Sequence, residues 1–162
     1  MGALLERIKS YLESHHVLTL ATGDERGPWA ASLFYASDDA LNLYFLSEPT
    51  TRHGQAIGRG ARVAVTVHGE TKEWTAIQGI QLWGTAKEVK EAGDVFARYT
   101  GKFPFAAALI PEGGPHCFYR ITPRWIRLID NARGLGFKEE VSLGDGGPSW
   151  LAGDSPDAGG ST

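Results

Sequence analysis

The sequence predicts a mainly β fold with a few flanking helices, in which one antiparallel sheet curls towards a barrel. Short apolar segments recur between polar turns, which is typical of such a sheet. One segment, residues 74–89, is too long for a flat strand of ordinary length. Gly79 and Gly84 interrupt it, and glycine inside a strand often marks a bulge or a bend. A sheet bent in this way tends to close on itself.

Composition places the chain among single-domain proteins. Its 162 residues are 42% hydrophobic, which is enough for one core. A formal net charge of −3 and the lack of a basic run argue against nucleic acid as a partner. Cys117 is the only cysteine, which excludes an internal disulfide and a cysteine zinc site. Neither a signal peptide nor an apolar run of membrane-spanning length is recognisable, so we expect a cytoplasmic protein with no membrane partner.

The N-terminal part is predicted to form one helix and three strands. Apolar residues at helical spacing indicate an amphipathic helix ending near His15 and His16; they are Leu4, Leu5, Ile8, Tyr11 and Leu12. The strands are expected at 17–22, 29–36 and 41–47, joined by short polar turns. Such turns between successive strands favour an antiparallel meander.

The remaining elements follow from apolar patterns and breakers. Strands are expected at 61–67, 74–89, 116–121 and 125–130, a helix at 91–100, and a last short strand near Val141 and Leu143. Residues 131–137 are predicted to form a glycine-containing loop, and 105–110 a short apolar segment. The chain is therefore divided into a domain over 1–143 and a flexible tail over 144–162, because the tail is mostly Gly, Asp, Ser and Pro.

Residues 43–58 carry the most distinctive pattern, a strand, a turn at Pro49 and a short helix that breaks at Gly58. Thr50 or Thr51 is a suitable N-cap for this helix. Its start then offers free N–H groups and the positive end of the macrodipole.

Arg52 and His53 lie in the first turn of that helix, where cations are normally disfavoured. Together with the cap hydroxyl and the free N–H groups they predict an anion site. The alternative is that both are solvated surface residues on a short helix.

Two strands show polar or small residues where a ligand would approach. Ala30, Ala31 and Ser32 gain little from packing, so the backbone there is open to close approach, unless a bulky neighbour fills the space. In the long strand, alternation places Gln81 opposite to the face of Ile80. Its amide is then directed either towards a ligand or simply towards solvent.

Four segments, taken in order, resemble the FMN-binding split β-barrel proteins related to pyridoxamine 5′-phosphate oxidase, and in particular a bacterial subgroup of them. These segments are 30–35, 44–53, 78–84 and 130–137. No single motif is specific, but their order and spacing are. The resemblance covers roughly residues 3–143 and implies a six- to seven-stranded antiparallel split β-barrel with flanking helices.

The resemblance assigns roles to matching positions. Thr51, Arg52 and His53 replace the family's Ser/Thr-Arg-Lys triplet, which binds the FMN phosphate. Histidine weakens the charge there because it is near-neutral at pH 7. The positions implied to lie along or reach the flavin ring are Ser32, Leu33, Leu46, Ser47 and Gln81, and the residues implied to border it from either subunit are Asn131, Gly136 and Phe137. In such proteins the flavin lies between two subunits, so a homodimer is implied.

The implied function is a flavin-dependent oxidoreductase, a reductase or an oxidase, that acts on a small molecule. The flavin supplies the redox chemistry, so no catalytic side chain and no metal ligand are predicted. NAD(P)H is a candidate donor, and without a G-x-G-x-x-G motif it would bind over the flavin. The C-terminal arginine and histidine of the true pyridoxamine phosphate oxidases have no counterpart here, so we do not expect that activity.

Two other functions are alternatives, beside a purely structural protein without a ligand. The first is a flavin-binding or flavin-storage protein without turnover. The second is a split barrel that binds haem or a deazaflavin, for which isolated histidines are the candidate axial ligands of haem; they are His16, His53, His68 and His116.

Overall fold

The computed structural model of the protein describes residues 1–111 and 113–144. The helices in this part of the chain are α1 (Gly2–Ser14), α2 (Arg52–Ile57), α3 (Gly93–Lys102) and α4 (Pro104–Leu109). The strands are β1 (Val17–Asp24), β2 (Gly27–Phe34), β3 (Ala36–Ser37), β4 (Leu43–Ser47), β5 (Ala61–His68), β6 (Gln78–Glu88), β7 (Cys117–Asp130) and β8 (Lys138–Ser142). Short 3-10 turns span Trp74–Ala76 and Asn131–Arg133.

All eight strands belong to one antiparallel sheet with the order β2-β1-β5-β6-β7-β4-β3, and β8 pairs with β7. Strands β2 and β3 lie at opposite ends of this order, yet only Tyr35 separates them in the chain. The two edges must therefore meet, so the sheet is rolled into an incompletely bonded barrel. The predicted fold class, a mainly antiparallel split barrel with flanking helices, is confirmed, although the sheet of the described residues has eight strands instead of the expected six to seven.

The barrel interior is filled by alternate residues of neighbouring strands. One register row shows this well, because its members are all apolar and point inward: Leu20, Val65, Leu82, Ile126 and Val141. Helix α1 packs on this core through Ile8 and Leu12, both completely buried. Each such side chain contributes about 1.5–3 kcal/mol by leaving water.

A second apolar cluster lies under α3 and α4. Its members are Tyr99 of α3, Phe103 at the C-cap of α3, Ala106 of α4, Ala36 of β3 and Phe118 of β7. The edge-to-face ring pair Tyr99–Phe118 has centroids 5.3 Å apart. These helices therefore cover the outside of the sheet near β4 and β7, which positions one wall of the cleft described below.

Strand pairing corrects the predicted meander. β1 and β2 form the expected hairpin, but β4 pairs with β7 and β3 and has no ladder to β2. The segments expected as strands 116–121 and 125–130 form one strand, because Pro123 sits at a bulge where it is tolerated within the continuous β7 ladder. Residues 105–110 are mostly helical, in α4.

The long central strand is shorter than expected and bends at one glycine. Trp74–Ala76 forms a 3-10 turn, so β6 begins at Gln78. Its register against β7 shifts between Trp83 and Gly84, whereas pairing through Gly79 is regular. The bulge was thus correctly expected at Gly84 and wrongly at Gly79.

Among the described residues, no helix is long and apolar enough to cross a membrane. The predicted tail lies, apart from Gly144, outside the residues that the structure describes.

Candidate functional site

The turn that leads into α2 is built by a threonine cap and a glycine. Thr51 is the N-cap, and its Oγ1 accepts a hydrogen bond from the Gly54 N–H at 3.1 Å and donates to the Glu48 carbonyl at 2.8 Å. A Cβ on Gly54 would lie 2.7 Å from that same carbonyl oxygen, so only glycine fits. Because α2 has six residues, its macrodipole is small, and any anion must be held mainly by side chains.

His53 is buried beside β4. Its Nε2 lies 2.7 Å from Ser47 Oγ, and only 8% of the residue is exposed. Burial lowers the pKa of His53 below its usual value. The imidazole is therefore neutral at pH 7 and contributes a hydrogen bond rather than a positive charge.

This burial makes protein stability depend on pH. Between the lowered pKa of His53 and the usual value of 6.5, the unfolded chain binds a proton that the folded protein does not. We expect the free energy of unfolding to fall as the pH drops below about 6.5, and His53→Gln to flatten this slope while keeping a hydrogen bond to Ser47. Urea unfolding across this range measures the slope. His68→Gln, at an exposed histidine, is the control, and equal slopes in wild type and His53→Gln would contradict the assignment.

Arg52 turns away from His53 and lies against the β1–β2 hairpin. Its guanidinium carbon is 4.5 Å from the centroid of the Trp29 ring, and its Nη2 donates to the Arg26 carbonyl at 3.2 Å. Its Nε is buried and has no hydrogen-bond partner among the described residues. A buried cationic donor without an acceptor is costly, so a ligand oxygen that reached this Nε would satisfy it.

A second unsatisfied polar atom belongs to Thr22 of β1. Its Oγ1 is buried without a hydrogen-bond partner within the described part of the chain. Thr22 lies directly opposite Trp29 in the hairpin register, and Arg52 stacks on Trp29. The end of the hairpin next to α2 therefore holds a hydroxyl and a guanidinium that both have unused capacity.

The remaining predicted residues are distributed over two faces. Leu33 packs against the main core, and Leu46 packs against the α3–α4 cluster. Ser32 and Gln81 are both exposed and lie on one register row, through Thr19 and Thr66. Three strand spacings separate Ser32 from Gln81, or about 14 Å. A single chain thus brings Ser47, Thr51 and His53 together and leaves Ser32 and Gln81 apart.

Gln81 and Asn131 already have partners. The Gln81 Oε1 accepts a hydrogen bond from Arg127 at 3.4 Å. The Asn131 side chain donates to the Trp74 carbonyl and accepts from the Gly136 N–H, both at 3.0 Å. Asn131 therefore holds its own loop together.

Three members of this site are not identified by the sequence patterns, namely Arg26, Trp29 and Thr22. A signal for the last two was present, since they flank the predicted turn and so had to lie opposite one another. Nothing local indicates that Arg52, 26 residues after Arg26, reaches that hairpin.

Of the histidines considered as metal ligands, His116 lies in a suitable cleft. The cleft has a volume of about 820 Å³ and is mostly apolar, with Leu46, Phe96 and Phe118 among its lining residues. His116 Nε2 lies 3.6 Å from Glu48 Oε1. Across the described residues, no three or more His, Cys, Asp or Glu side chains are grouped to hold a metal ion.

Comparison with known proteins identifies relatives at the level of sequence. The pyridoxamine 5′-phosphate oxidase family profile matches residues 4–130. A UPF0306 protein of Klebsiella pneumoniae is 36% identical over 137 residues, which cover 83% of this chain and 90% of that protein.

Solved structures share the fold at low identity. A haem-binding protein from Mycobacterium smegmatis superposes with a TM-score of 0.71 at 20% identity, over 85% of this chain and 57% of that one. An FAD-binding protein from Mesorhizobium loti gives a TM-score of 0.62 at 21% identity, over 78% and 90% of the two chains. The profile match and the close relative together show that this chain belongs to the pyridoxamine 5′-phosphate oxidase family of split barrels and, within it, to the UPF0306 proteins.

Proposed function

We propose that this protein binds FMN and uses it as a flavin-dependent oxidoreductase on a small molecule. The observation that carries the proposal is Arg52, which the Trp29 ring and the Arg26 carbonyl hold in place while its buried Nε lacks an acceptor. A phosphate oxygen is a strong acceptor for a guanidinium, and Arg suits phosphate through its planar set of donors. Family membership and the FAD-binding neighbour support a flavin as the molecule that carries this phosphate.

The residues around Arg52 fit a phosphate, but their roles differ from those expected for the triplet Thr51, Arg52 and His53. Arg52 supplies the charge, and the free hydroxyl of Thr22 is a further donor on the same hairpin. His53 and Ser47 bond to each other, so they shape the wall of the site from within. The Thr51 hydroxyl is engaged in the cap and fixes the turn that presents Arg52.

A homodimer completes the proposed site. Within one chain Ser32 and Gln81 lie three strand spacings apart, about 14 Å, on the outer face of the sheet, so a ring seated against one of them does not lie against the other. A second copy of the chain brings its own outer face to the first. The flavin then contacts Ser32 of one chain and Gln81 of the other.

When bound, the flavin supplies hydride or electron transfer, and the chain binds and orients it. No titratable group on the outer-face row from Ser32 to Gln81 offers itself as a general base, since the intervening residues Thr19 and Thr66 are also uncharged. A free Cys117 thiol suits a cytoplasmic location for this chemistry.

Haem is a second candidate, favoured by the apolar cleft beside His116. The haem-binding neighbour shares this fold, and a cleft of about 820 Å³ has room for a large planar ligand. This reading uses His116 as axial ligand and leaves Arg52 without a role, so we rank it below FMN.

A visible absorption spectrum separates these functions. The purified protein is incubated in turn with FMN, a deazaflavin and haem, and is desalted before each spectrum. We expect FMN to be retained and then reduced by NADH or NADPH with a small acceptor present. Retained FMN that no donor reduces at a useful rate would support a storage role. A protein that rejects FMN but shows a haem spectrum that His116→Ala abolishes would replace the flavin proposal.

A further inference from the structure

We infer that Arg26, at the tip of the β1–β2 hairpin, is a second phosphate-binding residue and gives the site its preference for a phosphorylated flavin over an unphosphorylated one. This inference rests on the proposed function and adds to it a residue outside the family's triplet. It starts from a deficit of charge, because His53 stands where the family usually has lysine and is buried and neutral. Arg52 alone would then face a phosphate monoester of charge about −2.

Arg26 lies where a second positive charge is needed. Its carbonyl oxygen accepts the Arg52 Nη2 bond at 3.2 Å, and its own Nη1 donates to Gln55 Oε1 of α2 at 2.8 Å. The Gln55 Nε2 in turn donates to the Thr50 carbonyl at 3.0 Å. Gln55 thereby holds the Arg26 guanidinium over the turn that precedes α2. Arg26 therefore approaches this turn from the hairpin, while Arg52 lies in the first turn of α2.

Asp24 orients Arg26 and sets the charge of the pair. One carboxylate oxygen accepts from the Arg26 backbone N–H at 2.8 Å, and the other lies 2.5 Å from Nη2. The neighbouring Arg26 guanidinium holds the pKa of Asp24 below its usual value, so Asp24 stays ionised. Arg26 and Arg52 are positive, Asp24 is negative, and the carboxylate of the neighbouring Glu25 also acts on Arg26. Removing Arg26 lowers the positive charge beside this turn by one unit, which weakens its attraction for a phosphate more than for a neutral group.

The chain offers no equally placed alternative in its described part. Arg59 and Arg62 follow α2 and are both exposed. The Arg26 side chain is itself exposed on one side, so a ligand oxygen has access to it. Its contacts to Gln55 and Asp24 reduce the rotamer entropy lost on binding, which favours a residue already in position.

The test compares FMN with riboflavin, which lacks only the phosphate. Dissociation constants for both are measured on the purified full chain by fluorescence titration at two salt concentrations. We expect Arg26→Gln to weaken FMN binding about tenfold or more while riboflavin binding stays unchanged. Arg26→Lys should retain part of the preference for FMN over riboflavin, since lysine keeps the positive charge. Arg59→Gln, which removes an exposed arginine just beyond α2, should change the dissociation constant of neither ligand.

We expect Asp24→Asn to change the affinity for FMN in the opposite direction to Arg26→Gln. Asparagine keeps an oxygen for the Arg26 N–H, so the turn is preserved, but it removes the negative charge next to the phosphate. FMN binding should tighten, most clearly at low salt.

The outcomes are distinguishable. If the wild type binds neither flavin, the proposed function fails and this inference with it. If the wild type binds FMN and Arg26→Gln leaves the ratio of FMN to riboflavin affinity unchanged, the inference alone is wrong. An equal loss for both flavins, or Asp24→Asn weakening FMN as much as Arg26→Gln does, would show that the pair only shapes the hairpin.

Discussion

Replacing Arg52 with alanine should weaken FMN binding tenfold to a hundredfold, which is the loss of one charge-assisted contact worth about 1.5–3 kcal/mol. The reason lies in the position of this guanidinium. It stacks on Trp29, bonds to the hairpin carbonyl of Arg26 and still has a buried Nε without an acceptor. Equilibrium dialysis or fluorescence titration with FMN measures the change.

Two further variants decide whether the loss is specific. Arg52→Lys keeps the charge but gives up the planar stack on Trp29 and the fork of donors, so it should recover only part of the affinity. Arg59→Ala removes an exposed arginine and should have no effect. Melting temperatures close to that of the wild type would show that Arg52→Ala is folded. A folded Arg52→Ala protein that holds FMN as tightly as the wild type would mean that the phosphate lies elsewhere.

The site shows which inferences a sequence supports. A cap at Thr50 or Thr51 and the short helix after it follow from local chemistry, and the structure uses Thr51. The contact between Ser47 and His53 does not follow from it. What His53 does there does not follow, because its burial depends on how α2 packs against β4. A histidine in place of lysine indicates a weaker charge. In the structure, His53 is a buried, neutral side chain that is hydrogen-bonded to Ser47.

The strand pairings show the same limit on a larger scale. Short turns correctly indicated the β1–β2 hairpin, because its register is fixed by residues close in sequence. The same rule predicts that the third strand pairs with the second, and this holds only for the two residue pairs Ala36–Tyr44 and Ser37–Leu43. After Phe34 the chain crosses the seam of the rolled sheet, so β4 pairs along its length with β7, 70 or more residues later. Which strand it meets after this crossing depends on closure of the whole sheet, which no local pattern reports.

The expected break between two strands at Pro123 is wrong for a related reason. A proline inside an apolar run normally ends a central strand, so 116–121 and 125–130 were expected as separate strands. The structure keeps them as one strand because Pro123 pairs with Gly84 at the bulge, where the ladder is already irregular. The proline on β7 and the glycine on β6 are thus two halves of one feature, which is visible only when the strands are side by side.

That feature is expected to be the most sensitive point of the fold. A Cβ on Gly84 would lie 2.1 Å from the Thr122 carbonyl oxygen and 2.9 Å from the Pro123 Cα, and both obstacles are backbone atoms that cannot rotate away. Gly84→Ala should therefore force apart the two longest strands of the sheet. We expect a loss of about 3 kcal/mol or more in the free energy of unfolding, and a fall of about 6–12 °C in Tm. Chemical and thermal unfolding followed by circular dichroism measure both quantities.

Gly101→Ala is the matched control, because a Cβ at this exposed position in α3 meets nothing within 4 Å. Alanine there should raise stability by about 0.5–1 kcal/mol through helix propensity alone. The pair of variants separates steric exclusion at the bulge from the general effect of replacing glycine. Equal, small changes for both would mean that β6 and β7 tolerate a side chain at the bulge, and that Gly84 does not determine where the sheet bends. A large loss in the free energy of unfolding for Gly84→Ala alone would show that barrel closure depends on this position. The bend of β6 at Gly84 directs the sheet towards β4, the strand that contains Ser47.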